Sequence, residues 1–174
     1  MDALKVLLER RSIRKYRAVN VSDEVLQEIV EAGLYAPSGL NLQPRYFVVV
    51  RTPEKMTQVR AVMSVVALRF NPILQKQFHD HPEVSTETNN FLVTLGGAPA
   101  CVLVYADKPY GAEGRDNVIE SISAAIENMQ LAAWNRGVGS CWIGAPNHVD
   151  CDGLFEAGFA AGRGEFVAAL TLGY

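Results

Sequence analysis

The sequence predicts an α+β sandwich, a central sheet with helices on both faces. Three observations point there. Short apolar runs at 46–50, at 100–105 and in the closing EFVAALTLG have strand length, and the continuous run at 46–50 reads as a strand buried on both faces. Stretches of helical period separate them, the longest over Arg115–Asn135. Helices and strands mix without a strict strand–helix–strand repeat, so a doubly wound parallel sheet is not indicated.

The elements follow in order. Asp2 before Leu4, Leu7 and Leu8 reads as an N-capped first helix. Ser22 caps a second, with Asp23 and Glu24 in its electropositive first turn and an apolar stripe of Val25, Leu26, Ile29, Val30 and Gly33. APSGLNLQP is loop, bracketed by two prolines. After the strand at 46–50, Thr52-Pro53 opens a third helix with proline at a first-turn position that needs no N–H. From 70 to 90 the chain is polar, holds two prolines and shows no clear period, which predicts a long lid-like loop. The Arg115–Asn135 helix carries Ile119, Ile122, Ile126, Met129 and Ala133 on one stripe. Ala124, Ala125 and Ala132 thin its surface for close approach by another helix, and Gly137 ends it. GSCWIGAP reads as a strand with a turn, CDGLFEAG as a short helix. With no repeat or composition break, residues 1–174 are expected to form one domain.

Composition narrows the function classes. The chain has 174 residues, 49% hydrophobic and 20% charged, with a net charge of −3. An acidic chain is a poor general nucleic-acid binder. No run reaches the roughly 18 apolar residues of a membrane span. Lys5, Glu9 and Arg10 interrupt any signal-peptide core. Cys101, Cys141 and Cys151 have neither disulfide nor metal spacing, which suits a reducing, cytoplasmic setting.

Catalytic side chains are scarce. Gly137-Val138-Gly139 lacks a third glycine and stands between helix and strand in the wrong order for a dinucleotide loop. His79, Asp80, His81 and Glu83 sit in the polar stretch and read as solvated rather than metal-ligating. No serine elbow or activated cysteine is apparent. Two segments remain. ERRSIRKYRAVN concentrates Arg10, Arg11, Arg14, Lys15 and Arg17 on an acidic chain. Arg10 and Arg14 share a side whether the chain is extended or helical, so their guanidiniums could grip a phosphate with the Ser12 hydroxyl between them. Equally, they could complement the negative end of the first helix. Pro37, Ser38, Gly39 and Asn41 could approach a flat polar heterocycle, or form an ordinary connection.

Taken together and in order, RRSIRKY, APSGLNLQP, AAIENMQLAAWNRGVGSCWIG and FVAALTLGY resemble the FMN-dependent nitroreductase family over nearly the whole chain. The resemblance implies a three-layer sandwich around a mixed, mostly antiparallel sheet, and an FMN-dependent NAD(P)H oxidoreductase. It implies a homodimer built on the long helix, with FMN at the subunit interface. Arg10, Arg11, Ser12 and Arg14 would then hold the FMN phosphate, ribityl chain and pyrimidine edge. Pro37, Ser38, Gly39 and Asn41 would reach the flavin from the other subunit. Asn90 would contact the pyrimidine, and Ile143 and Gly144 would offer backbone N–H groups near the reactive nitrogen. No catalytic side chain is implied, because the cofactor carries the chemistry. NADH or NADPH would reduce it, and a nitroaromatic, quinone or related acceptor would then bind the same slot in ping-pong fashion. A flavin carrier or sensor without efficient turnover is the alternative. Two departures stand out. Arg45 follows Gln43-Pro44 where the family commonly has tryptophan, and the sequence ends at Tyr174, where relatives commonly continue with proline and basic residues. Greater reliance on Arg10, Arg11 and Arg14 is the expectation.

Overall fold

The computed structural model describes residues 3–107 and 114–174. Six helices occur among them: α1 (Ala3–Glu9), α2 (Asp23–Leu34), α3 (Pro53–Gln77), α4 (Pro82–Thr94), α5 (Arg115–Asn135) and α6 (Asp152–Phe159). Four strands, β1 (Arg45–Val50), β2 (Ala100–Ala106), β3 (Gly139–Ile143) and β4 (Glu165–Gly173), form one sheet in the order β1-β2-β4-β3. Every strand pair is antiparallel. The expected parallel component reduces to one isolated bridge between Ser12 and Ser140.

β2 is buried throughout because alternate residues feed two cores. Cys101, Leu103 and Tyr105 meet Met63, Val66, Phe91 and Phe155 from α3, α4 and α6. Val102, Val104 and Ala106 meet Leu26, Ile29, Ile122, Ile126 and Met129 from α2 and α5. β4 serves both cores as well. Its register against β2 slips between Val104 and Tyr105, so Val167 and Ala168 both face the α5 side. Such two-sided burial explains the apolar runs that mark these strands in sequence. β1 differs from expectation. It is an edge strand, with Val49 exposed and Tyr46, Phe47 and Val48 half-buried.

Helix ends follow local chemistry. The Ser22 hydroxyl accepts from the Val25 N–H, and Thr52 accepts from Lys55 with Pro53 in the first turn. Gly137 adopts φ +70 after α5, as a terminating glycine does. The Asp2 cap lies outside the described residues. The 70–90 segment corrects the sequence reading. It is not a loop: α3 runs through Pro72 to Gln77, and after a short turn Pro82 opens α4. The inward positions Met56, Val59, Met63, Val66, Phe70 and Leu74 keep helical spacing across Pro72, and that burial holds the helix together. α1 buries Val6, whereas Leu4, Leu7 and Leu8 are exposed. Among the described residues no helix is long and apolar enough to cross a membrane.

Candidate functional site

Beyond α1 the basic segment runs extended along β3. The Ile13 N–H donates to the Ser140 carbonyl (2.9 Å), Tyr16 N–H to Gly96 (2.9 Å) and Arg17 N–H to Tyr174 (2.6 Å). Three glycines let it lie this close. A Cβ on Gly139 would stand 2.9 Å from the Ile13 side chain, one on Gly173 2.8 Å from the Tyr16 ring, and one on Gly96 against the Arg14 carbonyl.

The five basic side chains then part company. Arg11 Nη1 donates to the carbonyls of Leu8 and Arg10, each at 2.8 Å, which completes the C-terminus of α1. Arg10 Nε pairs with Glu127 of α5 at 3.2 Å. Both therefore meet protein groups. Arg14 meets the Cys141 thiol of β3, and its guanidinium lies 6.0 Å from the centre of the Phe91 ring on α4. It lines a cavity of about 630 Å³ together with Lys15, Asn90, Phe91, Thr94 and Gly96. Phe78, Val84, Glu87 and Thr88 complete the wall, so the cavity joins two cations, one carboxylate and an amide to an apolar floor. Behind Arg14, burial pushes the Cys141 thiol above its usual range, and the nearby guanidinium offsets this only in part.

Of the residues singled out from sequence, the structure thus brings Arg14 and Asn90 to one cavity. Ser12 is exposed beside them in sequence and bridges Ser140 through its backbone. Ile143 is buried at the end of β3, and Gly144 follows with open space where a side chain would stand. The loop after α2 lies elsewhere, clamped to α5. The Gly39 N–H donates to the Ser121 hydroxyl (3.1 Å), and a Cβ there would collide with the Asn117 amide. The Ser38 hydroxyl accepts from the Gln43 N–H (2.9 Å), and the Asn41 side chain accepts from the Gln43 amide (3.0 Å). Positive φ at Leu40, Asn41 and Gln43 winds this turn outward, leaving Leu40 91% exposed. Pro37, exposed, precedes it. None of these loop residues lines the cavity.

Sequence reasoning missed Lys15 and, apart from Asn90, the α4 wall. The signal available was the turn TLGG, where Leu95, Gly96 and Gly97 all take positive φ and set the cavity rim. Arg45 was flagged only as a departure. It is buried, its Nη2 donates to the Leu34 carbonyl at the end of α2, and its Nε and Nη1 have no partner among the described residues.

The nitroreductase family model matches residues 7–174, and the chain belongs to that family. A protein of Archaeoglobus fulgidus bearing the provisional name NADH dehydrogenase/NAD(P)H nitroreductase is 32% identical over 143 residues, 82% of this chain and 67% of its own length. The chain spans 67%, 66% and 61% of the length of three curated relatives it matches. A BluB-like flavoprotein from Clostridium difficile 630 superposes with a TM-score of 0.74 at 28% identity, covering 99% of this chain and 90% of that one. An FMN-dependent nitroreductase from Clostridium difficile R20291 does so at 0.70 and 27% identity, covering 98% and 86%. The α+β architecture is that of these proteins.

Proposed function

We propose that this chain is an FMN-dependent oxidoreductase that passes a hydride from NADH or NADPH, by way of the flavin, to a nitroaromatic, quinone or related acceptor. One observation supports this most directly: the cavity where Arg14 and Asn90 meet an apolar floor, in a chain of this family. Those residues fit a flat cofactor with a polar edge. The apolar wall from Phe91 and Val84 suits a ring system, and the exposed guanidinium of Arg14 is a ready partner for an electron-rich edge. When bound, FMN supplies the hydride and electron chemistry. The protein holds and orients it, and Arg14 favours added negative charge nearby. Donor and acceptor would use the same slot in turn.

A homodimer completes this reading. The sequence-assigned residues are divided between the cavity and the 36–44 loop on α5, which fits a site built by two copies. Exposed Leu4, Leu7 and Leu8 on α1, which packs on α5, and exposed Tyr35 and Leu40 beside the loop supply apolar surface flanking that helix. Arg10, Arg11 and Ser12 keep their proposed place near the phosphate. For Arg10 and Arg11 this requires release from Glu127 and from the α1 carbonyls. The three buried free cysteines fit a cytoplasmic setting.

The test is the visible spectrum of purified protein incubated with FMN and gel-filtered, followed by anaerobic addition of NADH or NADPH. A retained flavin spectrum that bleaches faster than free FMN is expected. Protein that stays colourless, or retained flavin that bleaches no faster, would overturn the enzymatic reading.

A further inference from the structure

Tyr16 occupies an unusual place for a polar side chain. Its hydroxyl donates to the Ile13 carbonyl at 2.6 Å and shares a 2.8 Å hydrogen bond with the Thr171 hydroxyl, near the C-terminal end of β4. Thr171 also reaches the Cys141 carbonyl at 3.3 Å. With the phenol proton on Ile13, the threonine proton goes to the phenol oxygen, the nearer of its two acceptors. β4 is thus tied, through the phenol, to the Ile13 carbonyl.

That carbonyl belongs to the peptide that leads into Arg14. The peptide on the other side of Arg14 is held as firmly. The Arg14 carbonyl rests where only a glycine at 96 leaves room, and the next N–H but one, that of Tyr16, donates to Gly96 at 2.9 Å. One residue before, the Ile13 N–H is fixed on Ser140. Both backbone torsions of Arg14 are therefore set by partners outside it. The glycine contacts constrain one side by shape, whereas the Tyr16 hydroxyl constrains the other by a directed bond that a phenylalanine ring would lack.

We infer that Tyr16 is a positioning residue for the flavin site: its hydroxyl, bridging Ile13 and Thr171, fixes the direction in which Arg14 presents its guanidinium to the cavity. This rests on the FMN reading above. A hydroxyl kept solely for stability would act on the fold as a whole and leave the guanidinium's aim unchanged. A positioning hydroxyl acts through Arg14, and its effect disappears once Arg14 has no guanidinium to aim.

A double-mutant cycle separates these roles. FMN dissociation constants, apoprotein unfolding midpoints and the midpoint potential of bound FMN are measured for the wild type, Tyr16→Phe, Arg14→Ala and the double variant. Tyr16→Phe is expected to weaken FMN by about three- to tenfold, the worth of one hydrogen bond. It should also lower the flavin potential. In the Arg14→Ala background the same change should cost less than about twofold and leave the potential alone. Equal losses in both backgrounds, or unaltered affinity and potential in Tyr16→Phe, overturn the inference. Should Tyr16→Phe not fold, Thr171→Val is expected to show the same Arg14-dependent loss and Thr171→Ser to restore wild-type behaviour. A Thr171→Val protein that binds as the wild type does overturns it equally. Wild-type apoprotein that takes up no FMN removes the functional reading itself, and this inference with it.

Discussion

The Arg14 carbonyl lies 2.2 Å from the point where a Cβ on Gly96 would stand, and Gly96 itself has φ +63. Residue 96 is thus glycine for two separate reasons, conformation and space. Gly96→Ala is expected to cost about 3 kcal/mol or more, combining left-handed strain of about 1–2 kcal/mol with a backbone collision that cannot relax cheaply. Gly137 provides the comparison, because it has φ +70 but nothing within 4 Å of its Cβ position. Gly137→Ala should cost only the strain, about 1–2 kcal/mol. Urea unfolding of both variants checks the difference. Equal midpoints would mean that the close approach to Arg14 carries no energy.

Arg14→Ala is expected to weaken FMN by about 1.5–3 kcal/mol, the worth of a charge-assisted hydrogen bond. It should also lower the potential of the bound flavin, since a cation nearby favours the reduced, more negative form. Fluorescence titration and a redox titration against a reference dye measure these. Unchanged affinity and potential would place Arg14 outside the cofactor's reach.

Arg45 predicts an asymmetry between two substitutions. Its guanidinium is buried with two unpartnered nitrogens among the described residues, and burial holds its ionisation below the usual value. A buried cation of this kind is poor evidence for stability. Arg45→Met, which keeps volume and removes the charge, should be neutral or stabilising by about 1 kcal/mol. Both variants lose the bond to the Leu34 carbonyl, and Arg45→Ala should be the less stable because it also leaves a void. Guanidinium unfolding distinguishes the pair, and a Met variant less stable than the Ala variant would contradict the argument.

The thiols set the alkaline limit of stability. Burial raises Cys101 to about 12, and raises Cys141 and Tyr16 as well. In each case the folded state retains a proton that the unfolded chain gives up, at about pH 8.5 for cysteine and about pH 10 for tyrosine. Unfolded chains then bind fewer protons, so stability is at its full value below about pH 8.5 and falls as pH rises toward 12. Unfolding midpoints between pH 8 and 11 should decline, and Cys101→Val should flatten part of that decline. At pH 8 the native protein should present no fast-reacting thiol to a disulfide reagent, with all three cysteines reacting after unfolding. Rapid native labelling would contradict the burial of these side chains.

Much of the fold was legible because burial on two faces leaves an unambiguous mark. β2 is apolar at every step and β4 nearly so, Glu165 and Thr171 apart, and α5 keeps Ile122, Ile126, Met129 and Ala133 on one stripe up to Gly137. The 70–90 segment was misread because Pro72 looks like a stop, although in α3 the packing of Met63, Val66 and Leu74 outweighs the hydrogen bond that proline removes. Phe70 and Leu74 did carry the period across it. The site was legible only in part. The arginines were visible as a cluster, but their separation is tertiary. Glu127 for Arg10 and Phe91 for Arg14 lie far off in sequence, and no local pattern in RRSIRKY records which partner each side chain finds. Lys15, a member of the same basic cluster given no role of its own from sequence, lines the cavity beside Arg14.

The bond between Tyr16 and Thr171 joins positions 155 residues apart. On a ribosome that spacing is also an interval of time. At typical elongation rates, on the order of ten seconds separate the emergence of the arginine segment from that of the strand that will fix it. Throughout that interval Arg10 to Arg17 travel as a solvated basic tail on the nascent chain, without the β3 and β4 partners that later define them. The tie from the Ile13 carbonyl through Tyr16 to β4 is accordingly among the last features to form. On the reading that Arg14 holds FMN, a nascent chain stalled before β4 is expected to bind none of it.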